Sequence, residues 1–258
     1  MLLINTRPAH RAQALSAPLR EFALEVLDLP LLELRPVAWN ATLLRQYQQL
    51  LHAQIIVVVS PTAAEIGLAY LKQSGLSLAE LAHVQWIAVG AATAEYLAQH
   101  QIHAHVPEVE TSEGMLSLPI LQQSTVQSVA FWRGEGGRQF MMQQLQQQGI
   151  QLLNFVLYTR HCPDKTAVMF QQQLPYLQHS KKKIYVCISS EASWLNWQAL
   201  CQNAPELLKK CHYLALGERL YRLILTTQNL DGQAQVTAFA RLAPDVIYRY
   251  LLEQKGLA

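Results

Sequence analysis

The chain has 258 residues, of which 51% are hydrophobic and 15% are charged, with a formal net charge of +2. This composition is typical of a globular protein and is sufficient for one large domain or two ordinary ones. The weak net charge, with no basic cluster longer than the lysines at 181–183, argues against a nucleic-acid partner.

The cysteine pattern and the N-terminal residues argue against a zinc-binding, a disulfide-stabilised or a secreted protein. The four cysteines have no close paired spacing, so they predict neither a zinc site nor a disulfide framework. His103 and His105 would share a strand face, but no cysteine or carboxylate pattern completes a metal site. No segment is typical of a signal peptide or a membrane-spanning helix. We therefore expect a cytoplasmic protein without a metal and without membrane association.

Apolar runs alternate with helical periodicity along the whole chain. Helical patterns cover residues 9–22 and 41–51, and further helices are predicted to begin after the turns at 60–62, 90–93 and 111–114. This alternation predicts an α/β architecture with parallel sheets. The predicted strands are residues 2–4, 24–27, 30–34, 55–59, 84–89, 103–106, 129–132, 149–162, 186–188 and 214–216.

The predicted strand at 149–162 is too long for one sheet of ordinary size. Because Pro163 ends it, we expect its second half to leave one domain and to pair with residues 30–36 in an antiparallel ladder. This ladder of 30–36 with 156–162 would join two domains. One domain comprises residues 1–29 with 163–258, and the other comprises residues 37–155.

An internal similarity supports two related halves. The segment V-C-I-S-S at 186–190 resembles V-V-V-S-P at 57–61, and A-L-G at 215–217 resembles A-V-G at 88–90. The offsets are 129 and 127 residues. Matches at nearly one offset favour duplicated architecture, although parallel strands resemble one another in any α/β protein.

Small polar residues follow the predicted strands, at the sheet edge where ligands bind in open parallel sheets. Each turn alone is explained by helix capping, whereas the set favours a binding cleft. The glycine-rich turn R-G-E-G-G-R matches neither a Walker loop nor a dinucleotide fingerprint, so a nucleotide is not expected. Its arginines either hold carboxylates or lie in solvent. The turns contain Arg7, Ser60, Thr62, Gly90, Thr93, Arg133, Gly134, Arg138, Ser189, Ser190 and Gly217.

The ordered motifs resemble the uroporphyrinogen-III synthase family almost from end to end. They are T-R-P after the first strand, V-V-V-S-P-T-A-A, I-A-V-G-A-A-T-A, T-S-E-G-M-L, R-G-E-G-G-R, V-L-Y-T-R, V-C-I-S-S and A-L-G. The resemblance implies two flavodoxin-like α/β domains with parallel sheets, joined by a two-stranded antiparallel ladder. It also implies a cofactor-free lyase that acts on a linear tetrapyrrole with eight carboxylates. We expect this enzyme to be a monomer.

By this resemblance, the substrate hydroxymethylbilane loses its hydroxyl as water to give an azafulvene. Ring D then attacks through its substituted carbon to form a spiro intermediate, and fragmentation permits closure to uroporphyrinogen III. A phenol is protonated at neutral pH, and the tyrosine of V-L-Y-T-R matches the favoured proton donor of the family. Tyr158 is therefore the predicted catalytic acid, unless it only packs between domains.

Two departures from the family pattern affect substrate binding. Glu218-Arg219-Leu220 stands where the family often has Pro-x-Thr, and Thr62 replaces a basic residue of some members. Substrate anchoring is therefore expected to depend more on Arg7, Arg133, Arg138 and Arg219. The alternative function is a two-lobed protein that binds or senses an acidic ligand without catalysis.

Overall fold

The computed structural model describes residues 1–123, 125–136, 139–227 and 235–254. Its contacts divide the chain into two compact units, Met1–Glu33 with Arg160–Ala258 and Leu34–Thr159. The predicted domain limits at 29, 37, 155 and 163 lie three or four residues from these points. Each unit is an α/β domain with one doubly wound, mainly parallel sheet, which confirms the predicted fold class.

Strands and helices alternate along most of the described chain. The strands are β1 (Leu2–Asn5), β2 (Glu25–Asp28), β3 (Glu33–Pro36), β4 (Ile55–Val58), β5 (Gln85–Ala88), β6 (Ala104–His105), β7 (Ser128–Gly134), β8 (Gln151–His161), β9 (Ile184–Ile188), β10 (Cys211–Leu216) and β11 (Gln235–Phe239). The helices are α1 (Ala9–Glu21), α2 (Ala41–Gln48), α3 (Pro61–Gln73), α4 (Ala91–Ala98), α5 (Ser112–Leu116), α6 (Phe140–Gln147), α7 (Asp164–His179), α8 (Glu191–Leu200), α9 (Pro205–Lys210), α10 (Glu218–Thr227) and α11 (Pro244–Glu253). Short 3-10 helices cover Gln49–His52 and Pro119–Leu121.

The sheet of the first unit has the strand order β2-β1-β9-β10-β11, and its neighbouring strands pair in parallel. In chain order within the unit this is 2-1-3-4-5, the order of flavodoxin. The direction of winding reverses between β1 and β9. Both strands are buried along their whole length, as expected for the centre of a parallel sheet with helices on both faces.

The sheet of the second unit has the strand order β3-β8-β7-β4-β5-β6. The pairs from β8 to β6 are parallel, and winding reverses between β4 and β7. Both of these strands are fully buried. The two sheets thus have one reversal point each, although their strand orders differ.

Strands β3 and β8 are neighbours at one edge of the six-stranded sheet. The Val37 N–H donates to the Leu157 carbonyl at 2.9 Å, and the Thr159 hydroxyl donates to the Arg35 carbonyl at 3.4 Å. Strands β3 and β8 are therefore antiparallel, because residue numbers decrease along one strand as they increase along the other. The structure shortens the predicted partner strand, because residues 30–32 are not in a strand and Leu31 packs into the core of the first unit.

Each hydrophobic cluster consists of residues from a single unit. Trp194 and Trp197 are fully buried in the first unit, while Tyr47, Trp132 and Phe155 are fully buried in the second. Tyr47 and Phe155 meet edge to face with ring centroids 5.1 Å apart. These cores fix the sheets and hence the positions of the strand ends.

Candidate active site

The predicted site residues lie at the carboxyl ends of strands in both units. In doubly wound sheets, ligands bind outside these ends at the point where the winding reverses. In the first unit this point lies between β1 and β9, which lead to Arg7 and Ser189. In the second it lies between β4 and β7, which lead to Ser60 and Gly134. Each reversal point is therefore flanked by predicted site residues.

Tyr158 and Ser60 are in direct contact in the second unit. Their hydroxyl oxygens are 3.1 Å apart, and either one can donate the hydrogen bond. Ser60 is the N-cap of α3 and accepts a hydrogen bond from the Ala63 N–H at 3.0 Å. Tyr158 is only 3% exposed. The phenol oxygen is thus held beside the first turn of a 13-residue helix.

Gly134 provides the space for the Tyr158 ring. Strand β7 shifts register against β8 between Arg133 and Gly134, and Gly134 is paired with Tyr158. A Cβ atom on Gly134 would lie 2.3 Å from Tyr158 Cε2. The Glu135 N–H also donates to the Tyr158 carbonyl at 2.7 Å. The Tyr158 ring therefore occupies the space beside Gly134 that a side chain would fill.

The Arg133 side chain is buried in the second unit, and the residue is only 6% exposed. Its guanidinium donates to the Gly136 carbonyl and lies 3.4 Å from the Met142 sulfur. A substrate carboxylate would have to compete with these contacts. The second arginine predicted in this turn, Arg138, lies outside the described residues.

The N-terminus of α4 is occupied by a carboxylate of the chain itself. Gly90 is the N-cap and has no side chain to satisfy the first amides, and the Ala91 N–H donates to Glu110 at 2.8 Å. A Cβ on Gly90 would lie 2.3 Å from the Glu110 carboxyl carbon. Thr93 is buried in the first turn of the helix. Glu110 is not among the residues predicted from the sequence, although a glycine N-cap signals that an acceptor comes from elsewhere.

Arg7 follows β1 in a turn that is held by buried polar groups. The Arg7 N–H donates to the Asn5 side chain at 3.2 Å, and the buried Thr6 hydroxyl donates to the Cys187 carbonyl of β9. The Arg7 guanidinium donates to the Leu242 carbonyl. These contacts place Arg7 at the winding reversal of the first unit, next to a carbonyl that sequence reasoning did not identify.

The other predicted residues of the first unit follow β9 and β10. Ser190 is the N-cap of α8 and forms a capping box with Ser193. Gly217 has a φ of 79°, which glycine adopts without strain, and its N–H donates to the Phe239 carbonyl at 2.8 Å. Arg219 is exposed and pairs with Glu191 at 3.3 Å. Ser189 is half-buried directly after β9, and Thr62, in the second unit, is half-buried in the first turn of α3.

The cysteine thiols are not poised for nucleophilic chemistry. Burial raises the pKa of Cys187 to about 12 and that of Cys201 to about 12. Burial also raises the pKa of Cys211 and of the half-buried Cys162. These cysteines are therefore expected to be protonated at neutral pH and not to act as nucleophiles.

In the described part of the chain, no group of three or more His, Cys, Asp and Glu side chains is arranged to hold a metal ion. Among the helices of the described residues, none is both long enough and apolar enough to cross a membrane.

Comparison with known families identifies the protein class. The family model described as "Uroporphyrinogen-III synthase HemD" matches residues 13–225. The chain belongs to the uroporphyrinogen-III synthase family. Its activity is therefore the cofactor-independent conversion of hydroxymethylbilane to uroporphyrinogen III, with inversion of ring D and loss of water. None of these findings supports the alternative of a binding protein without catalysis.

Solved structures of uroporphyrinogen-III synthases have the same fold. A mutant enzyme from the extremely thermophilic bacterium Thermus thermophilus is 16% identical, with a TM-score of 0.68 over 99% of both chains. The wild-type enzyme from the same organism is 18% identical, with a TM-score of 0.55 over 100% of both chains. The enzyme from Helicobacter pylori is 14% identical, with a TM-score of 0.55 over 98% of both chains. At these identities the likeness concerns the fold.

Proposed function

We propose that the protein catalyses this cyclisation at the carboxyl ends of its strands, with Tyr158 as the acid that protonates the departing hydroxyl. The observation that carries this assignment is the position of the Tyr158 oxygen, 3.1 Å from the Ser60 hydroxyl at the N-terminus of α3. An acid must hold its proton until the substrate arrives and must tolerate negative charge afterwards. A phenol at the positive end of a helix meets both requirements.

Substrate binding is proposed to use the hydroxyls and backbone amides of the strand ends as well as arginines. Arg7 and Arg133 already donate to carbonyls, and Arg219 is paired with Glu191. A guanidinium has five N–H groups, so substrate carboxylates either share these guanidiniums with their present partners or displace those partners. The proposed binding residues are Arg7, Ser60, Thr62, Gly90, Thr93, Arg133, Gly134, Arg138, Ser189, Ser190, Gly217 and Arg219.

The proposal includes a cytoplasmic monomer that acts without a nucleic-acid partner or membrane association. A formal net charge of +2 and the absence of an extended basic run in the sequence support the lack of a nucleic-acid partner. A linear tetrapyrrole with eight carboxylates is a small, soluble substrate that needs no surface for delivery.

The isomer of the product tests the activity and the role of Tyr158 together. The protein is incubated with freshly made hydroxymethylbilane, and the products are oxidised and separated into type I and type III porphyrins. The wild-type protein is expected to yield type III. We expect Tyr158→Phe to lower kcat by about 100-fold or more, because positioned general acids contribute about 10²–10⁴.

The matched control is Tyr47→Phe, which also removes a buried hydroxyl of the second unit. Tyr47 donates to the Gly67 carbonyl at 3.1 Å and is not part of the proposed site. This variant is expected to lose about 1 kcal/mol of stability and to keep the wild-type rate. Formation of type I alone by the wild type would refute the activity, and a wild-type rate for Tyr158→Phe would refute the proton donor.

A further inference from the structure

We propose that Ser60 is a positioning residue for catalysis, which stabilises the phenolate that Tyr158 becomes after it gives up its proton. This inference rests on the proposed role of Tyr158 as the acid. It assigns to Ser60 a function through Tyr158 in addition to its capping of α3, and it replaces the direct contact with the substrate that is proposed for Ser60 above.

The proton balance of the step requires such a partner. When the Tyr158 O–H bond breaks, its proton moves to the hydroxyl oxygen of the substrate, the carbon–oxygen bond breaks, and water leaves. The electron pair of the O–H bond stays on the Tyr158 oxygen. The electron pair of the carbon–oxygen bond leaves with the water, so the substrate carries one positive charge as an N-protonated azafulvene. The ring carbon that later forms the closing bond loses a proton, which restores the phenol. Between these events the second unit holds a negative oxygen in a nearly buried position.

The contact geometry makes Ser60 the donor at that stage. In the resting protein either hydroxyl can donate across the 3.1 Å contact. Once Tyr158 has lost its proton, its oxygen can only accept, so the hydrogen of this bond must come from Ser60. The Ser60 oxygen meanwhile accepts from the Ala63 N–H, which leaves its own hydrogen available.

Helix α3 adds a second source of stabilisation. Ser60 caps a helix of 13 residues, whose unpaired N–H groups carry positive partial charge at this end. The Ala63 N–H polarises the Ser60 hydroxyl and makes it a better donor. A phenolate within hydrogen-bond distance of this cap is favoured by both effects. The neutral phenol gains less from them, so the arrangement assists the proton transfer.

The test replaces Ser60 in three ways and measures kcat, KM and thermal stability. Ser60→Ala and Ser60→Gly both remove the hydroxyl, but glycine is tolerated at an N-cap and preserves folding. Ser60→Thr retains the hydroxyl and the cap. We expect the first two variants to lower kcat about tenfold or more with little change in KM, since a hydrogen bond to a charged group is lost. We expect Ser60→Thr to restore most of the rate.

A capping control separates loss of fold from loss of phenolate stabilisation. Asn40 caps α2 through hydrogen bonds from Thr42 and Leu43 at 2.9 and 3.0 Å, and it is not part of the proposed site. Asn40→Ala is expected to lower the melting temperature about as much as Ser60→Ala and to leave kcat unchanged. An equal fall in kcat for both would assign the effect of Ser60 to stability alone and overturn the inference.

A double-mutant cycle decides whether Ser60 acts through Tyr158. In the Tyr158→Phe background no phenolate forms, so Ser60→Gly should cause no further fall in kcat. Effects that multiply in the double variant would overturn the inference. A wild-type rate for Tyr158→Phe would refute the role of Tyr158 as the acid and, with it, the role of Ser60. If Tyr158→Phe is impaired while Ser60→Gly is not, only the inference about Ser60 fails.

Discussion

The hydroxyl of Tyr158 reaches Ser60 because a glycine stands opposite its ring. Gly134 lies at the register shift of β7 against β8, and its missing Cβ leaves the space that the ring fills. Any larger residue would meet the ring at 2.3 Å and displace it. A bulge of this kind re-aims one side chain without disturbing the rest of a strand. A single backbone irregularity therefore sets the position of the proposed acid.

His212 in the first unit is half-buried between polar and aromatic side chains. Its Nε2 lies 2.8 Å from the Thr237 hydroxyl and 3.1 Å from that of Tyr250, and its ring packs on Tyr185 at 5.2 Å. Burial lowers its pKa below the ordinary 6.5, and the positive charge of Lys183 acts in the same direction. The folded protein thus keeps this imidazole neutral to a lower pH than the unfolded chain does.

We expect His212 to make stability depend on pH on the acid side. Below pH 6.5 the unfolded chain takes up a proton that the folded chain refuses, so the free energy of unfolding falls as the pH decreases. Urea denaturation between about pH 7.5 and about pH 5.5 measures this slope. His212→Gln should flatten it, whereas the exposed control His103→Gln should not. An unchanged slope in His212→Gln would contradict the assignment.

The N-terminus of α4 is capped by Glu110, which lies 19 residues after Ala91 in the chain. Its glycine N-cap leaves the first amides to Glu110, whose carboxylate approaches Gly90 closely. Negative charge is favoured at a helix N-terminus, whether it comes from a side chain or from a ligand. If the substrate places a carboxylate on Gly90 and Ala91, it must displace Glu110.

This competition predicts opposite effects on substrate binding and on stability. Glu110→Gln removes the charge but retains an amide oxygen, so it weakens the internal cap by about 0.3–1 kcal/mol. We expect KM for hydroxymethylbilane to fall about two- to fivefold while the melting temperature decreases slightly. Glu108→Gln changes an exposed carboxylate of the same loop and serves as the control. An unchanged KM in Glu110→Gln would show that the substrate does not use this helix end.

The whole molecule consists of two units with separate hydrophobic cores. The second unit contains Leu145 and the first contains Leu214, each fully buried in a cluster of its own unit. Large buried side chains stabilise a domain by excluding apolar surface from water and by close packing. The stability of each unit is therefore expected to respond first to changes in its own core.

Hydrogen exchange can measure whether the two units lose stability independently of each other. Leu145→Ala should cost about 2–5 kcal/mol and lower the amide protection of strands in the second unit more than that in the first. Leu214→Ala, as the reciprocal variant, should do the reverse. An equal loss of protection throughout the chain in both variants would show that the protein unfolds as one cooperative unit.

Local sequence patterns determined the class of fold and the strand ends at which the site is proposed. Alternating apolar runs and helical periodicity predict parallel α/β sheets, because burial on both faces requires strands of this kind. The Ser60-Pro61 pair predicts a helix start, since serine caps and proline favours the first helical position. The sequence also marked Tyr158 near the end of its longest predicted strand. These signals depend only on neighbours along the chain.

The contacts that give those positions their chemistry depend on the tertiary structure. Ser60 and Tyr158 are 98 residues apart, and they meet because β7 lies between β4 and β8 and shifts register at Gly134. The Glu110 carboxylate accepts from the Ala91 N–H, which lies 19 residues earlier in the chain. Sheet order and register arise from the packing of the whole core, which no short segment encodes. The sequence thus determined that Tyr158 ends up near a strand end, and only the folded domain decided that a capping serine would stand beside it.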